Sequence, residues 1–468
     1  MTATSDKRVA ESDSKKLSTI CHGPIEPGLS PSRLAGRAFV EGYPTTTLEG
    51  ASYLEIGCGS GANVIAQAAA CPEMHFTGTS SEGGSAIAAF AHDAKLKNLD
   101  IGDLDLSQFK ANLGSFDFVV ADDVFSKAST AERMALLVLV HRHLADGGIA
   151  CIGLDIKAEG RGGDGSEKEG LTDEDRRTCE IAAFIAMAEA AKLHPIGDVD
   201  PLKTNAAVLP PALRQGEGGE IDLSVLLGNI DEYANIRHRH VLLCHAGRER
   251  VPAGLGEMLD NLFITSALSR EDASLSDADM LAAEKITFDG PVKYQTENQT
   301  EIVTLALMER NKQFPVRAGR LVGHVATALR KAGVRDVATT EVGHAVAQLC
   351  HKLLPTGALI THQTETRALN IISDKPHLAP LALHQVRQGA DHITSLTPHR
   401  IAIDDVARFV LRRFDGVQTR QQITADLIQA VAAGEIQIPE LVATPEARAK
   451  ATVLKVLVNA ARSGLLVS

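Results

Sequence analysis

Ala51-Ser52-Tyr53-Leu54-Glu55-Ile56-Gly57-Cys58-Gly59-Ser60-Gly61 decides how the rest of the chain is read. A short apolar run carries a glutamate near its end and breaks into three glycines at alternate positions. An apolar helix over residues 64–70 follows at once. This order predicts a strand, a tight turn and a helix. Glycines in such a turn let backbone N–H groups approach a ligand at the helix N-terminus. A dinucleotide fold more often shows G-x-G-x-x-G, with its acid about 20 residues further on. Here the acid, Glu55, stands in the strand itself.

Downstream of this stretch, strand and helix patterns alternate, which predicts a parallel sheet. Residues 74–79 read as a second strand. A helix over 84–96 follows, with Ile87, Phe90 and Ala91 at helical spacing. Residues 99–106 read as a third strand, 116–121 as a fourth and 149–154 as a fifth. The helix over 131–144 is stopped by Gly147-Gly148. Residues 51–156 therefore predict a Rossmann-like α/β sheet of five or more strands. Residues 20–50 immediately precede the first strand and read as a lid over its ligand. Beyond the sheet, 157–170 reads as a solvated loop, 173–193 as an amphipathic helix and 195–222 as irregular. Residues 225–243 read as a helix entering a strand. Helices over 317–332 and 341–354 and a strand over 357–361 follow.

The C-terminal part is the best punctuated. Ile403, Val406, Val410 and Phe414 fall on one helix face, and Asp415-Gly416 ends that helix. Thr419-x-x-Gln422 is a capping-box pattern, Gly434 stops the next helix, and Thr444-Pro445 opens a third. Three short helices with small strands predict a winged-helix-like domain after residue 370. Arg420 stands against Asp426 in the second helix, so protein contact is expected there and not nucleic acid. The divisions read from the sequence are a disordered tail (1–19), a Rossmann-like domain (20–156), a middle region (157–285), a helical region (286–370) and a C-terminal domain (371–468).

Composition bounds the compartment and the partners. A net charge of −12 argues against wholesale nucleic-acid binding. Seven scattered cysteines without a C-x-x-C pair read as reduced thiols of a cytoplasmic protein. The polar, mixed-charge first 19 residues predict no signal peptide. No apolar run reaches the roughly 18 residues of a membrane span.

Two groups of side chains invite a metal. Asp122-Asp123 ends the fourth strand and Asp155 the fifth, so three carboxylates meet at the ligand edge of the sheet. They either hold Mg²⁺, as in metal-dependent O-methyltransferases, or cap helices, and capping is preferred. Alternation along a strand puts His238 and His240 on one face, with His245 and Cys244 near by. These histidines are read as a polar strand face, so no metal ligand is assigned.

Glu55-x-Gly57-x-Gly59-x-Gly61 resembles the first motif of class I S-adenosylmethionine (SAM) methyltransferases. Three stretches sharpen the resemblance: 53–63 with its Asn63, 114–121 with Val124-Phe125-Ser126 after it, and 373–416 with Thr397-Pro398-His399-Arg400. Residues 235–245 resemble the segment leading out of a regulatory domain. Together they are similar to bacterial methyltransferases with a methyltransferase regulatory domain, typified by the lysine methyltransferases of outer-membrane proteins. The resemblance implies a Rossmann-like SAM domain, a mostly helical middle and a C-terminal winged-helix-like domain. It implies that Glu55, Gly57, Gly59 and Gly61 hold the amino-acid end of SAM, that Asp105 (or Asp103) meets the adenine, and that Asp122 lines the methyl donor. It also implies that Asp123 and Phe125 face a protein substrate.

The chain also departs from that family. Ser80, with Glu82 near by, stands where a ribose-binding acid is usual. Asp122-Asp123-Val124-Phe125-Ser126-Lys127 replaces His-Gly-Val-Tyr-Ser-Trp, and Asp155-Ile156-Lys157-Ala158-Glu159-Gly160 replaces Asn-Thr-Tyr-Pro-Gly-Trp. Lysine methylation is the first expectation. A catalytically silent binding or assembly subunit is the alternative, and metal-dependent O-methylation a lesser one.

Overall fold

The computed structural model describes residues 23–81, 83–103, 114–156, 178–214, 221–276, 279–280, 283, 285–334, 336–438 and 444–467. The tail 1–19, Glu82, Asp105 and the loop 157–170 lie outside the described residues.

Among the described residues, seven strands form one sheet: β1 (Ser52–Ile56), β2 (His75–Ser80), β3 (Leu99–Asp103), β4 (Phe116–Ala121), β5 (Leu144–Asp155), β6 (Leu193–Asp198) and β7 (His238–His245). Their order is β3-β2-β1-β4-β5-β7-β6. β1 to β5 pair in parallel, while β7 runs antiparallel to both β5 and β6. Alternation along the strands splits the core into two layers. Leu54, Ile56, Val119 and Ala121 join a cluster that includes Leu136, Phe184 and Ile230 on one face. Tyr53, Phe118 and Val120 join Val64, Ile87 and Leu34 on the other. Both faces are covered, as a parallel sheet requires.

Three expectations need correction. The sheet continues past residue 156, because β6 and β7 complete it. The helix expected over 173–193 is shorter, Ile181–Ala190, and Leu193 already begins β6. Pro195 reads as a strand breaker, yet β6 is an edge strand, where a missing N–H costs no ladder bond. The third correction concerns residues 20–50. Their helix, Pro31–Val40, is capped by Ser30 and opened by Pro31, and it packs Leu34, Ala35 and Ala38 onto the sheet. Its other side meets the strand Leu359–His362 so closely that a side chain on Gly36 would strike the backbone of Thr361 and His362. Arg37 Nε donates to the Asp198 carbonyl at 3.0 Å, and the Tyr53 hydroxyl to that of Leu29 at 3.3 Å. The segment is an anchored wedge between the sheet and the middle region.

That region, residues 262–362, joins the end of the expected middle region to most of the expected helical one and has its own core. Helices Gln299–Arg310, Ala318–Lys331 and Thr339–Leu353 pack behind a three-stranded sheet of Phe263–Ser266, Val316–Arg317 and Leu359–His362. The C-terminal domain follows its punctuation closely. The Thr419–Gln422 capping box is formed at the start of Arg420–Ala432, and Thr444 caps Pro445–Arg462. Gly416, Gly434 and Gly464 all adopt positive φ. The helix expected through Phe414 stops at Leu411, and Asp426 pairs with Arg413 while Arg420 pairs with Asp374. The domain touches the sheet domain through helix Pro380–Arg387: Leu381 enters the second core layer, and His384 meets Phe90 edge-on at 4.9 Å.

Candidate functional site

The site begins where β1 turns into the helix Ala62–Ala70. Gly57, Gly59 and Gly61 have φ of +71°, +54° and +75°, a region that disfavours L side chains. The three differ in what surrounds them. A Cβ on Gly57 would strike Val124, and one on Gly61 would strike Ile87; one on Gly59 meets nothing within 4 Å. Gly57 and Gly61 are thus required by packing inside the protein, while Gly59 borders open space. The turn is tied to the end of β2: Gly57 N–H donates to Thr79 Oγ1 at 3.1 Å, and Cys58 N–H to the Thr79 carbonyl at 2.8 Å. Burial, then the nearby Glu55 charge, pushes the Cys58 thiol up to about 12, so it packs and does not react.

Glu55 is buried behind the turn. Its Oε2 accepts from Asn63 Nδ2 at 2.8 Å, and Asn63 Oδ1 accepts from Glu26 N–H at 3.1 Å and Gln67 Nε2 at 3.3 Å. Asn63 therefore fastens the upstream segment to the turn. Burial pushes the Glu55 carboxyl up to about 7; the Asn63 bond opposes this, and the Asp122 charge adds to it. Ser80 ends β2 almost fully buried, and its hydroxyl lies 3.5 Å from the Gly59 carbonyl, beside the turn. Asp103 ends the neighbouring β3 in register with Ser80.

The second half of the edge is made of side chains. Asp122 follows β4 and lies over Gly153 of β5, where any side chain would collide with its carboxylate. The antiparallel pairing sets Gly153 opposite His240 and Asp155 opposite His238. Asp122 Oδ1 is 3.1 Å from His240 Nε2 and 3.9 Å from His238 Nε2, and the two Nε2 atoms are 3.3 Å apart. His238 Nδ1 meets Asp155 Oδ1 at 3.0 Å. Burial opposes charge on both Asp122 and His240, but their contact outweighs it, holding the carboxyl below and the imidazole above their ordinary values. The other face of β7 carries Arg239, fully buried between Asp231 at 2.8 Å and Asp198 at 3.4 Å. The alternation read from the sequence is present. The joining of His238 and His240 to Asp122 and Asp155 was missed, because Asp122 and His240 are 118 residues apart. The sequence signal available was the shared strand face of the two histidines.

His238 and His240 open onto a cavity of about 460 Å³ that also reaches Glu26, Arg33, Lys203 and Thr361. Among the described residues, no Phe, Tyr or Trp lines it. Two residues expected at the substrate do not line this cavity. Phe125 is fully buried, edge-on to Phe184 at 5.2 Å with the Arg133 guanidinium over its ring. The turn Val124–Lys127 points it inward, so it is a core residue and not a substrate contact. Asp123 is solvent-facing at φ +59°, 3.8 Å from Lys127. The carboxylate trio expected at this edge does not form around Asp123; Asp122 and Asp155 meet the histidines instead.

Comparison with known proteins agrees with this layout. Residues 54–150 match the methyltransferase domain family, and residues 374–465 match the family described as PKMT, C-terminal winged helix domain. The uncharacterized protein RP789 of Rickettsia prowazekii (strain Madrid E) is 26% identical over 129 residues, covering 26% of this chain and 23% of that one. The uncharacterized protein RP028 of the same organism is 31% identical over 125 residues, covering 26% and 48%. The chain thus spans less than half the length of these curated relatives. PKMT2 from Rickettsia typhi, solved in complex with AdoHcy, superposes with a TM-score of 0.79 at 18% identity, covering 96% of this chain and all of that one. The two share one fold. This chain carries a methyltransferase domain and a PKMT-type winged-helix domain, and among its described residues no helix is long and apolar enough to cross a membrane.

Proposed function

We propose that the chain is a SAM-dependent methyltransferase acting on a protein side chain, with lysine the first candidate. The observation that carries the reading is the β1 turn: three left-handed glycines, of which Gly59 alone borders open space, over a buried acid. The residues fit the cofactor. Gly59 leaves room for it to lie against backbone, Ser80 offers a hydroxyl beside the same turn, and Glu55 can answer an ammonium group. When bound, SAM supplies a methyl group on a sulfonium. Glu55 and the turn would hold its amino-acid end, Ser80 its ribose, and Asp103 or Asp105 its adenine. Asp122 would line the methyl end. The protein acceptor is supported by the PKMT-type C-terminal domain and by the shared fold with PKMT2, a protein solved with AdoHcy.

A lysine acceptor must reach the methyl group as a neutral amine, aligned with the breaking bond. Glu26 and Lys203 in the cavity present opposite charges to such a chain. The lack of Phe, Tyr and Trp among the described lining residues favours a second reading, a silent binding subunit. One experiment separates the two: titrating SAM and AdoHcy calorimetrically into the purified protein, then incubating it with labelled SAM and bacterial outer-membrane protein. Saturable binding with label on lysine supports the first reading. Protein that binds neither compound is the silent subunit.

A further inference from the structure

We propose that Asp122, His238 and His240 form a binding site for a divalent first-row transition cation, Zn²⁺ in the first instance, at the mouth of the cavity. Three features of the geometry point there. First, the donor atoms Asp122 Oδ1, His238 Nε2 and His240 Nε2 form a triangle with sides of 3.1, 3.3 and 3.9 Å. A point equidistant from them lies about 2.0 Å from each, the length of a Zn–N or Zn–O bond. Second, His238 presents its Nδ1 to Asp155 at 3.0 Å. That contact places the proton on Nδ1 and leaves the Nε2 lone pair for a metal, the usual outer partner of a ligating histidine. Third, the ligands stand on a rigid frame. His238 and His240 sit on paired β7, Asp122 rests where Gly153 makes room, and Ser126 Oγ fixes Asp155 by accepting its N–H at 2.7 Å.

Two imidazoles and one carboxylate are the ligand set of catalytic zinc and of non-haem iron(II) sites, which keep positions open for water or substrate. Here Asp122 and His238 are one-third exposed and His240 13% exposed, and the two histidines line the cavity, so the site is open to it on their side. A cation there takes water or an oxygen-donor group of the acceptor. An amine bound to it would lose the lone pair that a methyl group needs, so the ion anchors the acceptor chain beside its reacting atom. The role rests on the methyltransferase reading; binding of the ion does not.

The test uses the full chain, stripped by chelation and free of SAM. Cobalt(II) is titrated in and followed by its visible d–d absorption, Zn²⁺ is followed by calorimetry, and Fe²⁺ and Mn²⁺ are tried without oxygen. One equivalent of Co²⁺, displaced by Zn²⁺, is expected. His240→Gln or His238→Ala should abolish uptake while circular dichroism and Tm show a folded chain. Asp155→Asn should weaken it about 10–100-fold, and Asp123→Asn should leave it unchanged. In the wild type, Zn²⁺ should shield His238 and His240 from diethylpyrocarbonate, a readout that survives if a variant fails to fold. If Fe²⁺ or Mn²⁺ binds more tightly than Zn²⁺, the site stands with a different cation. The proposal is overturned if the wild type shows no saturable uptake, takes only Mg²⁺, or if folded variants keep their uptake. The three groups are then only hydrogen-bonded through a proton on His240. SAM binding in such a protein leaves the methyltransferase reading intact, and metal uptake without SAM binding removes that reading alone.

Discussion

The two halves of one sheet edge are built differently. At β1–β2 the site is backbone: left-handed glycines, amides tied to Thr79, and a buried acid whose partner is the amide side chain of Asn63. At β4–β5–β7 it is side chain: Asp122 and Asp155 against His238 and His240. The first half keeps the Glu55–Gly61 pattern and departs from the family at Ser80, while the second is rewritten after both β4 and β5. A turn shaped by φ angles and by the room around Gly57 and Gly61 leaves few substitutions open. An edge made of side chains can exchange its chemistry while the strands beneath keep their register. The fold therefore says more about the methyl donor than about the acceptor.

The glycines give the widest break in that comparison. Gly57→Val forces a branched side chain into Val124 at positive φ, and should cost about 2–5 kcal/mol in urea unfolding. Gly59→Val meets open space, and should cost only about 1–2 kcal/mol while removing SAM binding altogether. If both variants lose stability equally and Gly59→Val still binds SAM, the turn is not a cofactor cradle.

Glu55 comes next. Its carboxyl is raised in the folded chain, so its stabilising contribution is full below the unfolded value of 4.5 and is lost as pH rises through about 7. Glu55→Gln should therefore gain up to about 3 kcal/mol over wild type between pH 4.5 and pH 8, read from paired denaturation curves. SAM brings an ammonium group to that carboxylate and should release a proton below pH 7. Its affinity should climb up to about tenfold per pH unit and then level. A flat profile removes Glu55 from the cofactor site.

Ser80→Asp sharpens the comparison more modestly. It restores a charge-assisted acceptor for the ribose, but the side chain is buried and faces the Gly59 carbonyl. A gain of about 1 kcal/mol, at most tenfold in SAM affinity, is expected from calorimetry. Smallest is Asp123→Asn. Its pair with Lys127 is exposed, so stability should move by less than about 0.5 kcal/mol and SAM affinity not at all.

Legibility followed the range of the interactions. The β1 turn, β2, β4 and the C-terminal caps are local, and their residues carry the signal within a few positions. β6 was illegible because Leu193-His194-Pro195-Ile196-Gly197-Asp198 contains both breakers, and only its place at the sheet edge tolerates them. Phe125 was misplaced because a residue after a strand end can face out or in, and Phe184, which draws it inward, lies on a distant helix. The meeting of Asp122 with His240 depends on β7 entering antiparallel beside β5, which no local pattern encodes.

The wedge helix Pro31–Val40 has a consequence for the chain as it is made. Thr364 N–H donates to Ser32 Oγ across 332 residues, and Gly36 packs on Thr361–His362 beside it. At roughly 5–20 residues per second, the ribosome needs about 15–65 s to supply that far side. Until then the helix can cover the sheet but its outer flank is bare. The junction is thus a late checkpoint of biosynthesis, and a holdase that shields residues 31–40 on the nascent chain should raise the yield of folded protein.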